Sequence, residues 1–222
     1  MSEKVLLLAC VASCVCSFAA AQGDAKAGTI DFSKLKPSEI VIPIFSEIVV
    51  VPYLDGFVGA YEHTNGAFFI HEEVLRGETV DQWTQMRTTT GKQGLSSDAN
   101  LTPKLFTEHI AANFKRACPD TFSINEIGST TVSGDDAFVT WASCGTVGST
   151  GSAQSESTLI VGVKGTVDYL SIQWAERGPA SSQPIVYDGT KWGERLKKLS
   201  SVKICPRVPG EAAPYPSCVD KK

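Results

Sequence analysis

Residues 102–118 read TPKLFTEHIAANFKRAC and form the strongest helix pattern in this chain of 222 residues. Thr102 offers a capping hydroxyl, and Pro103 stands at the first helical position, where its missing N–H leaves no hydrogen bond unmade. Apolar side chains then recur at helical spacing and form one stripe: Leu105, Phe106, His109, Ile110, Phe114 and Ala117. We therefore predict a helix that packs with this stripe, with His109 as a core or boundary histidine, and that ends at Cys118.

Strand patterns lie on both sides of this helix. Before it, two apolar runs flank Asn65-Gly66, a pair that favours a tight hairpin turn because both central positions need a positive φ. After it, four runs separated by turn residues predict antiparallel strands at 122–127, 137–144, 157–163 and 167–174. A last helix is predicted at about 190–199, with Trp192, Leu196 and Leu199 on one face.

Two further segments complete the prediction. Residues 40–53 read IVIPIFSEIVVVPY, and the two prolines predict edge or broken strands because proline cannot donate to a strand ladder. Residues 79–82 fit a capping box, and Val80, Trp83 and Met86 share a face of the helix that would follow and end near residue 90. The strands do not alternate with helices, so we predict an α+β fold: a mostly antiparallel sheet of about seven strands with three helices, one packed against the sheet.

The composition is that of an ordinary globular protein. Lysine and arginine number 20, aspartate and glutamate 24, which gives a net charge of -4, and 42% of residues are hydrophobic. Nucleic-acid affinity depends on clustered lysine and arginine, so this charge balance argues against nucleic acid as a partner.

The N-terminus has the layout of a secretory signal peptide. An apolar run from Val5 ends in Ala19-Ala20-Ala21, which fits cleavage after residue 21 and a periplasmic or secreted protein. The alternative is lipoprotein cleavage before Cys14, which would make an outer-membrane lipoprotein and is the one membrane association we predict. Downstream we expect a lead-in at 22–38, a single domain at 39–205, and a proline-rich tail at 206–222 closed by a disulfide.

Signal cleavage would remove three of the seven cysteines and leave Cys118, Cys144, Cys205 and Cys218. An even number suits pairing in an oxidising compartment, and four cysteines allow three connectivities. A local loop between Cys205 and Cys218 is the simplest pairing, and Cys118 with Cys144 follows. No Cys-x-x-Cys is present and no histidine stands at ligand spacing from a cysteine, so a redox or zinc site is disfavoured.

Few residues carry candidate chemistry. His71 and Glu73 would share one face of a strand and, with Glu72, could form a metal or acid–base site, although no third ligand is near in sequence. Trp83 and Met86, with His71, are the candidate lining of a groove. We therefore predict an exported protein that binds a protein partner or small ligand without catalysis or cofactor. The alternative is a hydrolase or metal-dependent enzyme that uses His63 or His71 with nearby carboxylates.

Residues 77–86 read GETVDQWTQM, and they precede the helix to Cys118, a strand to Cys144, and a final helix followed by SSVKIC at 200–205. With this order, the chain resembles a group of small exported bacterial proteins of uncharacterised function, over about residues 57–205. The resemblance implies a periplasmic α+β domain with a disulfide between the two middle cysteines, and it implies no catalytic residues. The order of meander, helix, sheet and final helix is also loosely similar to the PsbP-like fold.

Overall fold

The computed structural model describes residues 38–147 and 153–220. Its strands are β1 (Glu39–Ile44), β2 (Glu47–Pro52), β3 (Phe57–Asn65), β4 (Phe68–Leu75), β5 (Gln85–Lys92), β6 (Phe122–Val132), β7 (Asp135–Val147), β8 (Gln154–Lys164), β9 (Tyr169–Pro179) and β10 (Lys203–Pro206). Its helices are α1 (Pro103–Ala117), α2 (Gly189–Leu199) and α3 (Pro216–Val219), with a 3-10 turn at Leu95–Ser97. None of the helices in these ranges is long and apolar enough to span a membrane.

Seven strands form one large antiparallel sheet in the order β3-β4-β5-β9-β8-β7-β6. A tight turn joins β3 to β4 where the hairpin is predicted, but Asn65 pairs with Phe68, so the central turn residues are Gly66, at φ 57°, and Ala67 rather than Asn65 and Gly66. The strands predicted after α1 are all present, although each is longer than its apolar run. The predicted α+β class with a seven-stranded antiparallel sheet is confirmed.

The large sheet has two faces, which we call the core face and the helix face. Leu159, Ile172 and Trp174 point to the core face, and their strand neighbours Ile160 and Gln173 point to the helix face. Because successive strand residues alternate between faces, each strand supplies both. The core face meets a second layer, made of α2 and a small sheet in the order β1-β2-β10.

The main hydrophobic core lies between the core face and this second layer. Ile44, Val49 and Val51 of the small sheet are fully buried there against the large sheet. Trp141 of β7 packs against Trp192 of α2 with ring centroids 6.1 Å apart. The predicted final helix is confirmed, and its apolar side closes this core.

Helix α1 packs on the helix face, over β7 and its neighbours β8 and β6. Thr102 caps it as predicted by accepting a hydrogen bond from the Leu105 amide. The buried Thr107 hydroxyl lies 2.9 Å from that of Thr140 on β7, and the disulfide between Cys118 and Cys144 ties the end of the helix to the same strand. The helix is therefore fastened to β7 in its second turn and at its C-terminal end.

The apolar stripe of α1 is narrower than its sequence suggests. Phe106, Thr107 and Ala111 are the buried residues of the helix, while His109 is exposed. The prediction that His109 is a core or boundary residue is therefore wrong. A flat sheet covers only a narrow strip of a helix, so a residue at the margin of the stripe stays in solvent.

The second disulfide, between Cys205 and Cys218, is confirmed and fastens the C-terminal segment to the small sheet. Both cysteines are buried with Ile48 and Val50 on the side of the small sheet that faces away from the core. Tyr215 packs against the same cluster. The C-terminal segment thus covers a surface that would otherwise expose the apolar side of β2.

The helix predicted from the capping box at residue 79 is wrong, because this stretch is a turn followed by strand β5. The Thr79 hydroxyl does accept a hydrogen bond from the Gln82 amide, so the local cap forms. The next residues, however, read QMRTTTGK, and a run of three β-branched threonines favours a strand. Pairing with β4 on one side and β9 on the other then makes β5 a central strand.

The segment 40–53 forms a hairpin, with Phe45 at φ 48° in its turn. Strand β1, which contains Pro43, is an edge of the small sheet, as the proline predicts. Strand β2 is the central strand, and Pro52 is its last residue, so the expectation of edge or broken strands fails for β2. Its five residues from Glu47 to Val51 are buried, because the large sheet covers one side and the C-terminal segment the other.

A candidate binding trough beside helix α1

One helix cannot cover the helix face of a seven-stranded sheet. Seven strands about 4.8 Å apart span roughly 29 Å, whereas a helix with its side chains is about 10–12 Å wide. Helix α1 lies over β6, β7 and β8, and the part of the face formed by β9, β5 and β4 lines a cleft of about 560 Å³ beside it. We call this cleft the trough.

The floor of the trough consists of hydroxyl and amide side chains. They lie on the middle strands of the sheet and are Thr88, Thr90, Thr158 and Gln173. Gln173 Nε2 donates a hydrogen bond to Ser171 Oγ at 3.0 Å, and that oxygen lies 2.7 Å from Thr90 Oγ1. These contacts hold the Gln173 amide in place and leave its other polar positions for a ligand.

The two walls of the trough are mostly apolar. Helix α1 contributes Phe106, Ile110 and Phe114 on one side, and β4 contributes Phe68 and Ile70 on the other. A polar floor between apolar walls is the usual composition of a ligand-binding cleft, and its volume lies within the range of roughly 300–1,000 Å³ seen for such sites.

The segment from Gly77 to Thr84 closes one end of the trough. Gly77 has φ 92°, and the Glu78 carboxylate accepts hydrogen bonds from the Thr84 amide at 2.9 Å and the Thr84 hydroxyl at 2.6 Å. Burial alone would raise the pKa of Glu78, but these hydrogen bonds lower it below the ordinary value. The clamped turn places Trp83 in a cluster with Met86.

Trp83 is also covered by a cation. The Arg177 guanidinium lies 3.8 Å from the centroid of the Trp83 ring, and Arg177 Nε donates to Glu156 at 2.9 Å. The stack and the ion pair together make the end of the trough a fixed surface.

The structure separates the three residues predicted to line a groove. Trp83 and Met86 both line the trough. His71 points to the other face of β4, because it pairs with Thr89 while its neighbour Glu72 pairs with Thr88 of the trough floor. The His71 Nδ1 atom lies 2.9 Å from the carboxylate of Glu62 on β3.

Glu73, the other residue of the candidate metal or acid–base site, is engaged elsewhere. It is fully buried and forms an ion pair with Arg87, whose guanidinium also donates to the carbonyl of Pro52 in the small sheet. Burial lowers the pKa of Arg87, and the carboxylate of Glu73 opposes that effect. Among residues 38–147 and 153–220, no three histidine, cysteine, aspartate or glutamate side chains come together as a metal site.

A second cleft, of about 540 Å³, lies between β6 and α2. Lys197 is the one charged side chain among the described residues that line it. The trough has charges of both signs in addition to its polar floor. It therefore has more groups than the second cleft that can bind a ligand in one orientation.

These features define a class: an α+β protein in which a seven-stranded antiparallel sheet carries a fastened helix on one face and a trough beside it. No protein family model matches the sequence, and no curated protein matches it. Among solved structures, it is similar to LpqN of Mycobacterium tuberculosis, described as involved in cell envelope biogenesis, at 11% identity and a TM-score of 0.37 over 76% of this chain and 91% of that one.

The Ran-binding protein Mog1p of Saccharomyces cerevisiae is similar at 12% identity and a TM-score of 0.42, over 76% of this chain and 95% of that one. A point mutant of Mog1 gives 13% identity and a TM-score of 0.43, over 78% and 96%. At these values the matches identify no function for this chain. The resemblance to exported bacterial proteins and to the PsbP-like fold stays a prediction.

Proposed function

We propose that this chain is an exported binding protein that holds its ligand in the trough and does not transform it. The observation that carries the proposal is the trough itself: a cleft of about 560 Å³ with a hydroxyl and amide floor and two apolar walls. The wall formed by α1 is fixed, since the helix is attached to β7 through Thr107 in its second turn and through Cys118 at its C-terminal end. A preformed site of this kind binds without first ordering a loop.

Two features support export. The N-terminal sequence predicts a signal peptide, although those residues lie outside the described part of the chain. The pairs Cys118–Cys144 and Cys205–Cys218 form disulfides, which persist in oxidising compartments. Mass spectrometry of the native protein tests the proposal: it should begin at Gln22, and a diacylglyceryl group on Cys14 would instead establish a lipoprotein.

The binding role is tested by blocking the trough. Thr88 is half-buried in the floor, so Thr88→Trp should fill the cleft at little cost in stability. Thr64→Trp is the matched control, since Thr64 is an exposed threonine of β3 that does not line the trough. Each tagged protein is incubated with native envelope extract, washed, and analysed for bound molecules by native mass spectrometry.

We expect the wild type and Thr64→Trp to retain the same molecule and Thr88→Trp to lose it. Equal retention by all three proteins would show that the trough is not the site. Conversion of the captured molecule to a product during incubation with the purified protein would contradict a role without catalysis.

A further inference from the structure

Four charged side chains line the trough, and two of them neutralise each other. Arg177 and Glu156 form an ion pair at 2.9 Å, and the guanidinium is also stacked on Trp83. Glu72 and Lys92 are therefore the two charged side chains in the trough that can pair with charged groups of a ligand.

The side chains of Glu72 and Lys92 form no hydrogen bond or ion pair with another protein group within residues 38–147 and 153–220. The Lys92 ammonium lies 4.1 Å from the centroid of the Phe68 ring, which fixes its place in the trough. Burial raises the pKa of the Glu72 carboxyl, and the neighbouring His71 partly opposes that effect. Each group is thus partly removed from water without a hydrogen-bonded partner of opposite charge, so each gains from a charged ligand group.

The register of the sheet gives the separation of the two charges. Lys92 lies opposite Phe68 across β4 and β5, and its ammonium sits over that ring. Glu72 is on the same strand as Phe68, four residues further along. At about 3.4 Å per residue, the backbone positions from which the two side chains enter the trough are roughly 14 Å apart.

The floor between the two charges is uncharged. It carries Thr88, Thr90 and the Gln173 amide, and Ile70 borders it. Hydroxyl and amide groups both donate and accept hydrogen bonds, which suits a row of peptide groups, while the apolar walls suit their side chains.

We propose that the trough binds short zwitterionic peptides of about four residues, with the peptide ammonium at Glu72 and the peptide carboxylate at Lys92. An extended chain spans about 3.3–3.6 Å per residue, so four residues cover roughly 13–14 Å and match the spacing of the Glu72 and Lys92 positions along the sheet. A free amino acid carries both charges on one residue and cannot reach both. The inference rests on the proposed function, because it assigns a ligand class to the same trough.

Isothermal titration calorimetry with tetra-alanine tests the inference. The probes are the free peptide, its N-acetylated form, its C-amidated form, and di-alanine and hexa-alanine. We expect the free tetrapeptide to bind most tightly, and each cap or change of length to weaken binding by about tenfold or more, the effect of losing one charge-assisted hydrogen bond.

Two variants locate the ends of the peptide. Glu72→Gln should weaken binding of the free tetrapeptide to the level of the acetylated one, and acetylation should then have no further effect on that variant. Lys92→Gln should do the same for amidation. Glu194→Gln and Lys197→Gln are matched controls at exposed positions of α2 outside the trough, and both should bind as the wild type does.

Equal binding of free and capped peptides would overturn the inference, and so would additive losses from Glu72→Gln and acetylation. Tighter binding of a doubly capped long peptide would indicate a segment of a protein partner instead. If tetra-alanine does not bind but Thr88→Trp still abolishes capture from envelope extract, the peptide inference fails and the proposed function stands. If capture is insensitive to Thr88→Trp, both fail.

Discussion

The core face and the helix face of the large sheet are made from the same strands, yet they are packed differently. On β5, a side chain added at Gly91 of the core face would place its Cβ 2.3 Å from Ile44 of the small sheet. One residue earlier, Thr90 points to the helix face and lines an open trough. The comparison shows that the packing of a face depends on the elements that cover it. The small sheet and α2 cover the core face, whereas α1 covers only part of the helix face.

The largest difference between the faces should appear in stability. Trp141→Ala on the core face should lower the free energy of unfolding by about 3–5 kcal/mol, because it leaves a cavity in a packed core. Thr88→Ala in the trough should change it by no more than about 0.5 kcal/mol. Urea unfolding measures both values.

Should Trp141→Ala fail to fold, Ile172→Val gives the same comparison with an expected loss of roughly 0.5–1.5 kcal/mol. Ile172 is 1% exposed on the core face. A loss from Thr88→Ala as large as that from Ile172→Val would contradict the difference between the faces.

The two disulfides fasten different layers of the molecule, α1 to the large sheet and the C-terminal segment to the small sheet, and should be separable by hydrogen exchange. Replacing Cys118 and Cys144 by alanine, or Cys205 and Cys218, removes a loop closure worth roughly 3 kcal/mol in either case. The first replacement should speed amide exchange in the last turns of α1, which form a wall of the trough. The second should speed exchange in β10 and leave α1 protected. Equal effects of both replacements on α1 would show that its disulfide does not hold the trough wall.

Carboxylates on the two faces should respond to pH with opposite signs. Burial would raise the pKa of Glu176 on the core face, but hydrogen bonds from Lys191 and Arg195 lower it overall. Its ionised form therefore stabilises the fold above the ordinary glutamate pKa, and this contribution is lost as the pH falls through the folded pKa. The pKa of Glu72 is raised by burial, so the fold favours its protonated form and is destabilised as the pH rises.

Accordingly, Glu176→Gln should lower stability at about pH 7 by on the order of 1 kcal/mol and have little effect at about pH 3. For Glu72→Gln, the free energy of unfolding relative to that of the wild type should be higher at neutral pH than in acid. Urea unfolding at both pH values measures these shifts. The same sign of change for both variants would contradict the assignment.

The sequence predicts most of the fold because most of its signals are local. The Thr102 cap, the hairpin turn at Gly66 and the spacing of Trp192, Leu196 and Leu199 each act within a few residues. The four cysteines that follow the predicted signal peptide agree with two disulfides. The sequence misleads at strand β5 because Val80, Trp83 and Met86 mimic a helical face. The competing signal is the strand-like alternation of Met86, Thr88, Thr90 and Lys92. Pairing with β4 and β9 favours the strand over the helix.

The trough can be predicted only in part. The sequence marks Trp83 and Met86 as groove residues, but on a helix that does not form. The floor residues Thr88 and Gln173 carry no signal in the sequence, since an exposed threonine or glutamine on a strand is ordinary. Their role depends on how far α1 extends across the sheet. His71 is wrongly grouped with Trp83 because the sequence does not show which face of β4 each neighbour meets.

The small sheet joins the two ends of the described chain. Its central strand β2 pairs with β1 on one side and with β10 on the other, where Val50 lies opposite Lys203. During synthesis from the N-terminus, β2 emerges long before β10, so the layer over the core face stays incomplete until nearly the whole chain is available. Any chain that stops short of residue 203 leaves β2 without its second neighbour, and the unpaired strand edge is then open to other chains.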